Sequence, residues 1–137
     1  MESTIVSPGS LEKLSEDASG RPVGDVLAEL AGALRSASKV LIATHVSPDG
    51  DAIGSSTALA LGLRRLGKEA RVFSASDVEH RFEGIILPGM VEVVDDDSVA
   101  ELQGQFDLCV LLDTSETSRA GVLEPVIFSE GQKRICI

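Results

Sequence analysis

Apolar positions recur along this chain in two different periods, and the alternation between them predicts the architecture. Val23, Val26, Leu27, Leu30 and Leu34 fall on one helical face, which predicts an amphipathic helix over residues 23 to 34. Residues 39 to 44, KVLIAT, form a short apolar run rich in β-branched side chains, the pattern of a strand buried on both faces. After a polar turn, Leu59, Leu63 and Leu66 stand at i, i+4 and i+7 and predict a helix from Ala52 to Leu66, with Gly67 as its C-terminal stop. A second strand, ARVFSA, begins at Ala70. Two more are expected near Val91 to Val94 and Asp107 to Leu112, and RICI from Arg134 opens a fifth. Strands alternating with helices predict an α/β fold, a mostly parallel sheet of about five strands flanked by helices, with ligands beyond the carboxyl ends of the strands.

Length and composition narrow the picture. The 137 residues suffice for one domain with its own core. Residues 1 to 20, rich in Ser, Gly and Glu, are expected to be a loose extension and residues 21 to 137 the domain. With 4 Phe and no Trp or Tyr, the core must be aliphatic, and the aromatic platforms typical of single-strand nucleic-acid binders are missing. A net charge of −10 repels long polyanions, so a long nucleic-acid duplex is not an expected partner. A small phosphorylated ligand stays compatible if bound cations invert the local field. The first twenty residues carry Glu2, Glu12, Glu16 and Asp17 and no continuous apolar stretch, so neither a signal peptide nor a membrane partner is expected, and the cytoplasm is the default. Cys109 and Cys136 sit in apolar runs with no C-x-x-C spacing and are expected to be buried thiols.

The candidate chemistry lies directly after the first strand, in THVSPDGDAIGS. His45, Asp49 and Asp51 form an H-x-x-x-D-x-D pattern, and Pro48 and Gly50 suit a turn that aims the flanking carboxylates at one point. Carboxylates with one imidazole suit Mn²⁺, Mg²⁺ or Fe²⁺, with Mn²⁺ preferred, whereas a structural zinc site usually contains thiolates. The helix expected at Ala52 points its N-terminal amides at this turn, an end that attracts phosphate. Ser55 and Ser56 lie in its first turns, either as ligand contacts or bonded to backbone carbonyls. The fourth strand, DLCVLLD, ends in Asp113, followed by TSETSRAG. Asp113 is placed to bridge two cations, although alone it reads as a helix N-cap. Arg119 is a candidate partner for a substrate phosphate or a site carboxylate.

Other features carry less. The twelfth positions from Asp49 and Asp51 are Ala60 and Gly62, where a calcium loop requires Glu. GLRRLGK at Gly62 to Lys68 resembles a P-loop, but Glu69 stands where Ser or Thr is needed. Asp95 to Asp97 reads as a solvated loop, and His80 and Arg81 as surface residues.

THVSPDGDAIGSSTALALGLRRLGK resembles the first motif of the DHH phosphoesterases and LLDTSETSRAG their second, and ILPG at Ile86 to Gly89 is similar to an inter-motif segment. PDGDAIGS is most similar to the oligoribonuclease and 3′-phosphoadenosine 5′-phosphate phosphatase branch. The resemblance implies that His45 and Asp49 bind one cation, that Asp51 binds a second and that Asp113 bridges them. It further implies that a hydroxide held between the cations attacks phosphorus in line. The substrates implied are short oligoribonucleotides or a nucleoside 3′,5′-bisphosphate, and Ser55 and Arg119, read from the residues themselves, are the candidate substrate contacts. The signature Asp-His-His belongs after a strand such as RICI, and the family's C-terminal substrate-binding domain would follow it. The expectation is therefore a fragment ending before its third motif, inactive by itself. A non-catalytic nucleotide-binding or regulatory domain of the same fold is the alternative. A receiver-like signalling domain also places acids at strand ends, but it leaves His45 unexplained. Oligomeric state is open, a homodimer included.

Overall fold

The computed structural model describes residues 19–137. Most of the expected extension over residues 1 to 20 lies outside them. Two compact units divide between Ser36 and Ala37. In the first, helix α1 (Val23–Ser36) starts where the amides of Asp25 and Val26 donate to the Pro22 carbonyl at 3.0 and 3.3 Å. Asp25 in its first turn and Arg35 in its last both oppose the helix dipole. No residue of α1 is fully buried.

The second unit is built on a five-stranded sheet in the order β3-β2-β1-β4-β5, every neighbouring pair parallel. The strands are β1 (Lys39–Thr44), β2 (Glu69–Ser74), β3 (Val91–Val93), β4 (Leu108–Leu112) and β5 (Arg134–Cys136). Five residues of β1 and all five of β4 are buried, as continuous apolar runs require of central strands in a parallel sheet. At the amino end, Asp107 Oδ2 accepts the amides of Ser38 and Lys39, both at 2.8 Å, and so fixes β4 against β1.

Helix α2 (Gly50–Arg65) covers one face. It buries Ala52, Ile53, Ser56, Thr57, Ala60 and Leu63, a stripe of mostly small side chains that lets it lie close to the sheet. The Leu59, Leu63 and Leu66 stripe expected from the sequence is only partly correct, since Leu66 is 71% exposed. The helix also begins two residues earlier than expected, because Asp49 caps it. On the opposite face Leu41, Ala43, Phe73, Cys109 and Leu111 pack against Leu102, Phe106, Ala120, Leu123, Val126 and Ile127. These come largely from 3₁₀ turns (Val99–Leu102 and Thr117–Leu123) and the short helix α3 (Glu124–Ile127). Cys109 is buried in this core, and burial pushes its thiol up to about 12. Cys136 is exposed, against expectation: β5 is an edge strand that turns only Ile135 inward. Among the described residues no helix is long and apolar enough to cross a membrane.

Candidate metal centre

The strand order reverses at β1, with β2 on one side and β4 on the other, and a crevice opens beyond the carboxyl ends at such a switch point. Thr44 pairs with Leu112, so His45 and Asp113, one residue further on, leave the sheet side by side. Asp49 returns to the same place from the loop that ends β1. One ligand atom each from His45, Asp49 and Asp113 lies within 4.8 Å of the others. His45 Nε2 is 3.6 Å from Asp113 Oδ2 and 4.0 Å from Asp49 Oδ1.

Backbone bonds hold the imidazole in one orientation. His45 Nδ1 lies 2.8 Å from the Val46 carbonyl, which only accepts, so Nδ1 carries the proton. In the neutral ring the Nε2 lone pair then faces two carboxylates. That contact is repulsive unless a proton on Nε2 or a metal cation lies between them, and the donor set of one imidazole with carboxylates suits a divalent ion of the Mn²⁺ or Mg²⁺ type. Val46 is anchored in turn, its amide donating to the Arg119 carbonyl at 2.7 Å.

Asp49 has two tasks. Its Oδ1 accepts the amides of Asp51 and Ala52 at 3.1 and 3.0 Å, the N-cap of α2. The Ala52 amide above all holds its carboxyl below the ordinary range. Desolvation opposes this, and the charge of His45, the Asp51 amide and the charge of Arg119 add to it. The N-cap role, read from sequence as the alternative for Asp113, therefore falls to Asp49. Asp113 instead adopts φ +62°, a left-handed conformation that costs an ordinary side chain about 1–2 kcal/mol and that Asp tolerates better than most. Such strain tends to persist at functional sites. The Asp113 amide is held by the Ile137 carbonyl at 2.7 Å.

The remaining candidates divide. Asp51 stands exposed in the first turn of α2, outside the three-residue cluster. Ser56 is buried, with its hydroxyl on the carbonyls of Ala52 and Ile53 at 2.7 and 3.1 Å, so it serves the helix. Ser55 is exposed and bonds the Ala52 carbonyl at 3.3 Å. The amides of Asp51, Ala52 and Ile53 are all taken by Asp49, the last by its carbonyl at 3.0 Å. The helix end thus offers fewer donors to an external phosphate than its position suggests. Arg119 is exposed, and its charge acts on the Asp49 carboxylate. His80 and Arg81 are surface residues, paired with Glu83 and Glu79. An open groove of about 450 Å³, lined by Glu83, Ile86–Met90 and Val91, shares no residue with the cluster.

One contributor carried no signal as a site residue. Gly121 has φ +59° and ψ −135° and lies under the β1 loop. A Cβ there would stand 2.7 Å from Val46 Cγ1 and 3.0 Å from Ala75 Cβ. The RAG triplet is thus a floor for the residue whose carbonyl orients His45.

The family model described as DHH family, N-terminal domain, matches residues 39–137. The bifunctional oligoribonuclease and PAP phosphatase NrnA of Thermus thermophilus is 52% identical over 50 residues, which are 36% of this chain and 14% of that protein. The crystal structure of an exopolyphosphatase-related protein from Bacteroides fragilis aligns with TM-score 0.72 and 23% identity, over 81% of this chain and 33% of that one, a likeness of fold. The chain therefore spans a minor part of the length of either relative.

Proposed function

The chain belongs to the DHH family, a family of metal-dependent phosphoesterases, and on that premise we propose that it is the metal-binding part of an enzyme hydrolysing phosphate esters of small nucleotides. The substrates proposed are short oligoribonucleotides and nucleoside 3′,5′-bisphosphates, a reading supported by the Thermus thermophilus relative, a bifunctional oligoribonuclease and PAP phosphatase. The observation that carries the reading is the imidazole of His45, fixed by Val46 so that Nε2 meets carboxylate oxygens of both Asp49 and Asp113. His45, Asp49 and Asp113 would hold one divalent cation, Mn²⁺ by preference, and Asp51 with Asp113 a second. When bound, such cations supply Lewis acidity, which lowers the pKa of water and offsets charge on the attacking and leaving oxygens of a phosphoryl group.

The protein's own groups orient and balance. The Val46 carbonyl keeps His45 in the tautomer that presents an acceptor nitrogen to the site. Asp49 Oδ1, the oxygen nearest His45 Nε2, is also the one held by the helix-cap amides, and those bonds fix the orientation of the carboxylate. Arg119 offsets carboxylate charge where a phosphate dianion would arrive. Three clustered donors leave most positions of a six-coordinate ion to Asp51, water, substrate oxygens or residues of a longer chain.

The test is hydrolysis by the full-length protein with Mn²⁺, using a short RNA oligomer and a nucleoside 3′,5′-bisphosphate, beside calorimetric Mn²⁺ titration. Asp113→Asn should remove most turnover and weaken Mn²⁺ binding at least about tenfold. Unchanged affinity in that variant would refute the ligand assignment, and metal-dependent binding without turnover of either substrate would favour a non-catalytic nucleotide-binding domain.

A further inference from the structure

We propose that Ser76, beyond the end of β2, is a positioning residue for the metal centre, an inference that rests on the metal-site reading of His45, Asp49 and Asp113. The ends of β1 and β4 bring His45 and Asp113 together, but they do not dictate the path from His45 to Asp49. That path turns at Ser47, whose φ of +52° is a conformation L side chains rarely adopt, and Ser lacks the freedom that Gly has there. Something outside the turn must hold it.

The Ser47 amide donates to Ser76 Oγ at 2.6 Å. Ser76 is fixed in its turn by Ser74, a buried residue whose hydroxyl donates to the Ser76 carbonyl at 2.6 Å and accepts the Ser76 amide at 3.3 Å. One residue earlier, the Val46 amide is held by the Arg119 carbonyl at 2.7 Å. Two successive amides of the β1 loop are therefore gripped by the segments that follow β2 and β4. Between them lies the Val46 carbonyl that accepts from His45 Nδ1, and beyond them the buried Pro48 leads into Asp49. Without the Ser76 hydroxyl, Ser47 can relax to negative φ. The Val46–Ser47 peptide then rotates, and both His45 Nε2 and Asp49 lose their common focus. A third strand end thus builds the site without contributing a ligand.

The test compares Ser76→Ala, Ser76→Thr and Asp113→Asn in the full-length protein by calorimetric Mn²⁺ titration and thermal unfolding. Ser76→Ala should weaken Mn²⁺ binding about 10- to 100-fold, the range for groups that orient a ligand, while its unfolding midpoint moves little. Ser76→Thr, which keeps the hydroxyl, should recover most of the affinity. A residue with only a structural role would lower the midpoint and leave the affinity of the folded protein alone, and that result overturns the proposal. So does wild-type affinity in Ser76→Ala beside a loss in Asp113→Asn, which leaves the metal centre standing. Loss in neither variant overturns both readings. If Ser76→Ala does not fold, hydrogen exchange in the metal-free wild type decides: the Ser47 amide should be protected, and exchange at the rate of an unstructured amide overturns the proposal.

Discussion

Replacing Gly121 by Ala tests how tightly the β1 loop rests on the segment after β4. The added Cβ would stand 2.7 Å from Val46 Cγ1, closer than real carbon contacts allow, and 3.0 Å from Ala75 Cβ, tighter than nearly all of them. Overpacking of this kind costs about 1–3 kcal/mol. The backbone at φ +59° and ψ −135° lies in a region populated essentially by Gly and adds about 1–3 kcal/mol for an L side chain. The variant should lose about 2–6 kcal/mol in denaturant unfolding, a large share of a small domain's stability. Val46 carries the carbonyl bonded to His45 Nδ1, so its displacement should also weaken Mn²⁺ binding. Adding Val46→Ala removes the nearer clashing atom and should restore part of the overpacking cost while the backbone cost remains. A loss under about 0.5 kcal/mol, within the range of ordinary surface changes, together with unchanged Mn²⁺ affinity, would refute the close approach and the route from Gly121 to His45.

Asp49→Ala should lower the thermal midpoint at neutral pH, because the folded carboxylate caps α2 and its pKa is depressed. A depressed carboxyl contributes stability above its unfolded pKa and loses it as pH falls through the folded value, so the gap to wild type should close below about pH 3.9. A gap that persists at pH 2 would show that the cap is not the cause. Iodoacetamide at pH 8 should label Cys136 and spare Cys109 in the native 137-residue chain, as mass spectrometry would show, and equal labelling would contradict the burial of Cys109. The 137-residue chain should bind Mn²⁺ more weakly than the full-length protein and show little hydrolysis, since three donors cluster among the described residues. Comparable turnover in side-by-side assays would show that these donors suffice.

What the sequence revealed and what it hid follow from the range of the interactions involved. The runs KVLIAT and DLCVLL are long and apolar enough to announce central strands, and residues that follow such strands must emerge at one sheet edge. His45 and Asp113 were legible on that ground, because the β1 and β4 registers carry them to adjacent positions. Local chemistry was harder to assign. Asp49 and Asp113 both precede turns, and only the geometry shows that the first accepts two helix amides while the second takes positive φ. The Leu stripe of α2 misled because helical period fixes which residues share a face without fixing which face meets the sheet. Ala52, Ser56 and Ala60 won that face, since small side chains permit the closer approach. Least legible were the braces. Nothing local distinguishes Ser76 from any polar residue after a strand, or Gly121 from any turn glycine. Their meaning appears only when the segments after β2 and β4 are seen to close on the β1 loop, one on the Ser47 amide and the other on the Val46 amide and side chain. A ligand set can be written in a motif, whereas the precision of its placement is distributed over contacts between segments remote in sequence, and those exist only in the folded chain.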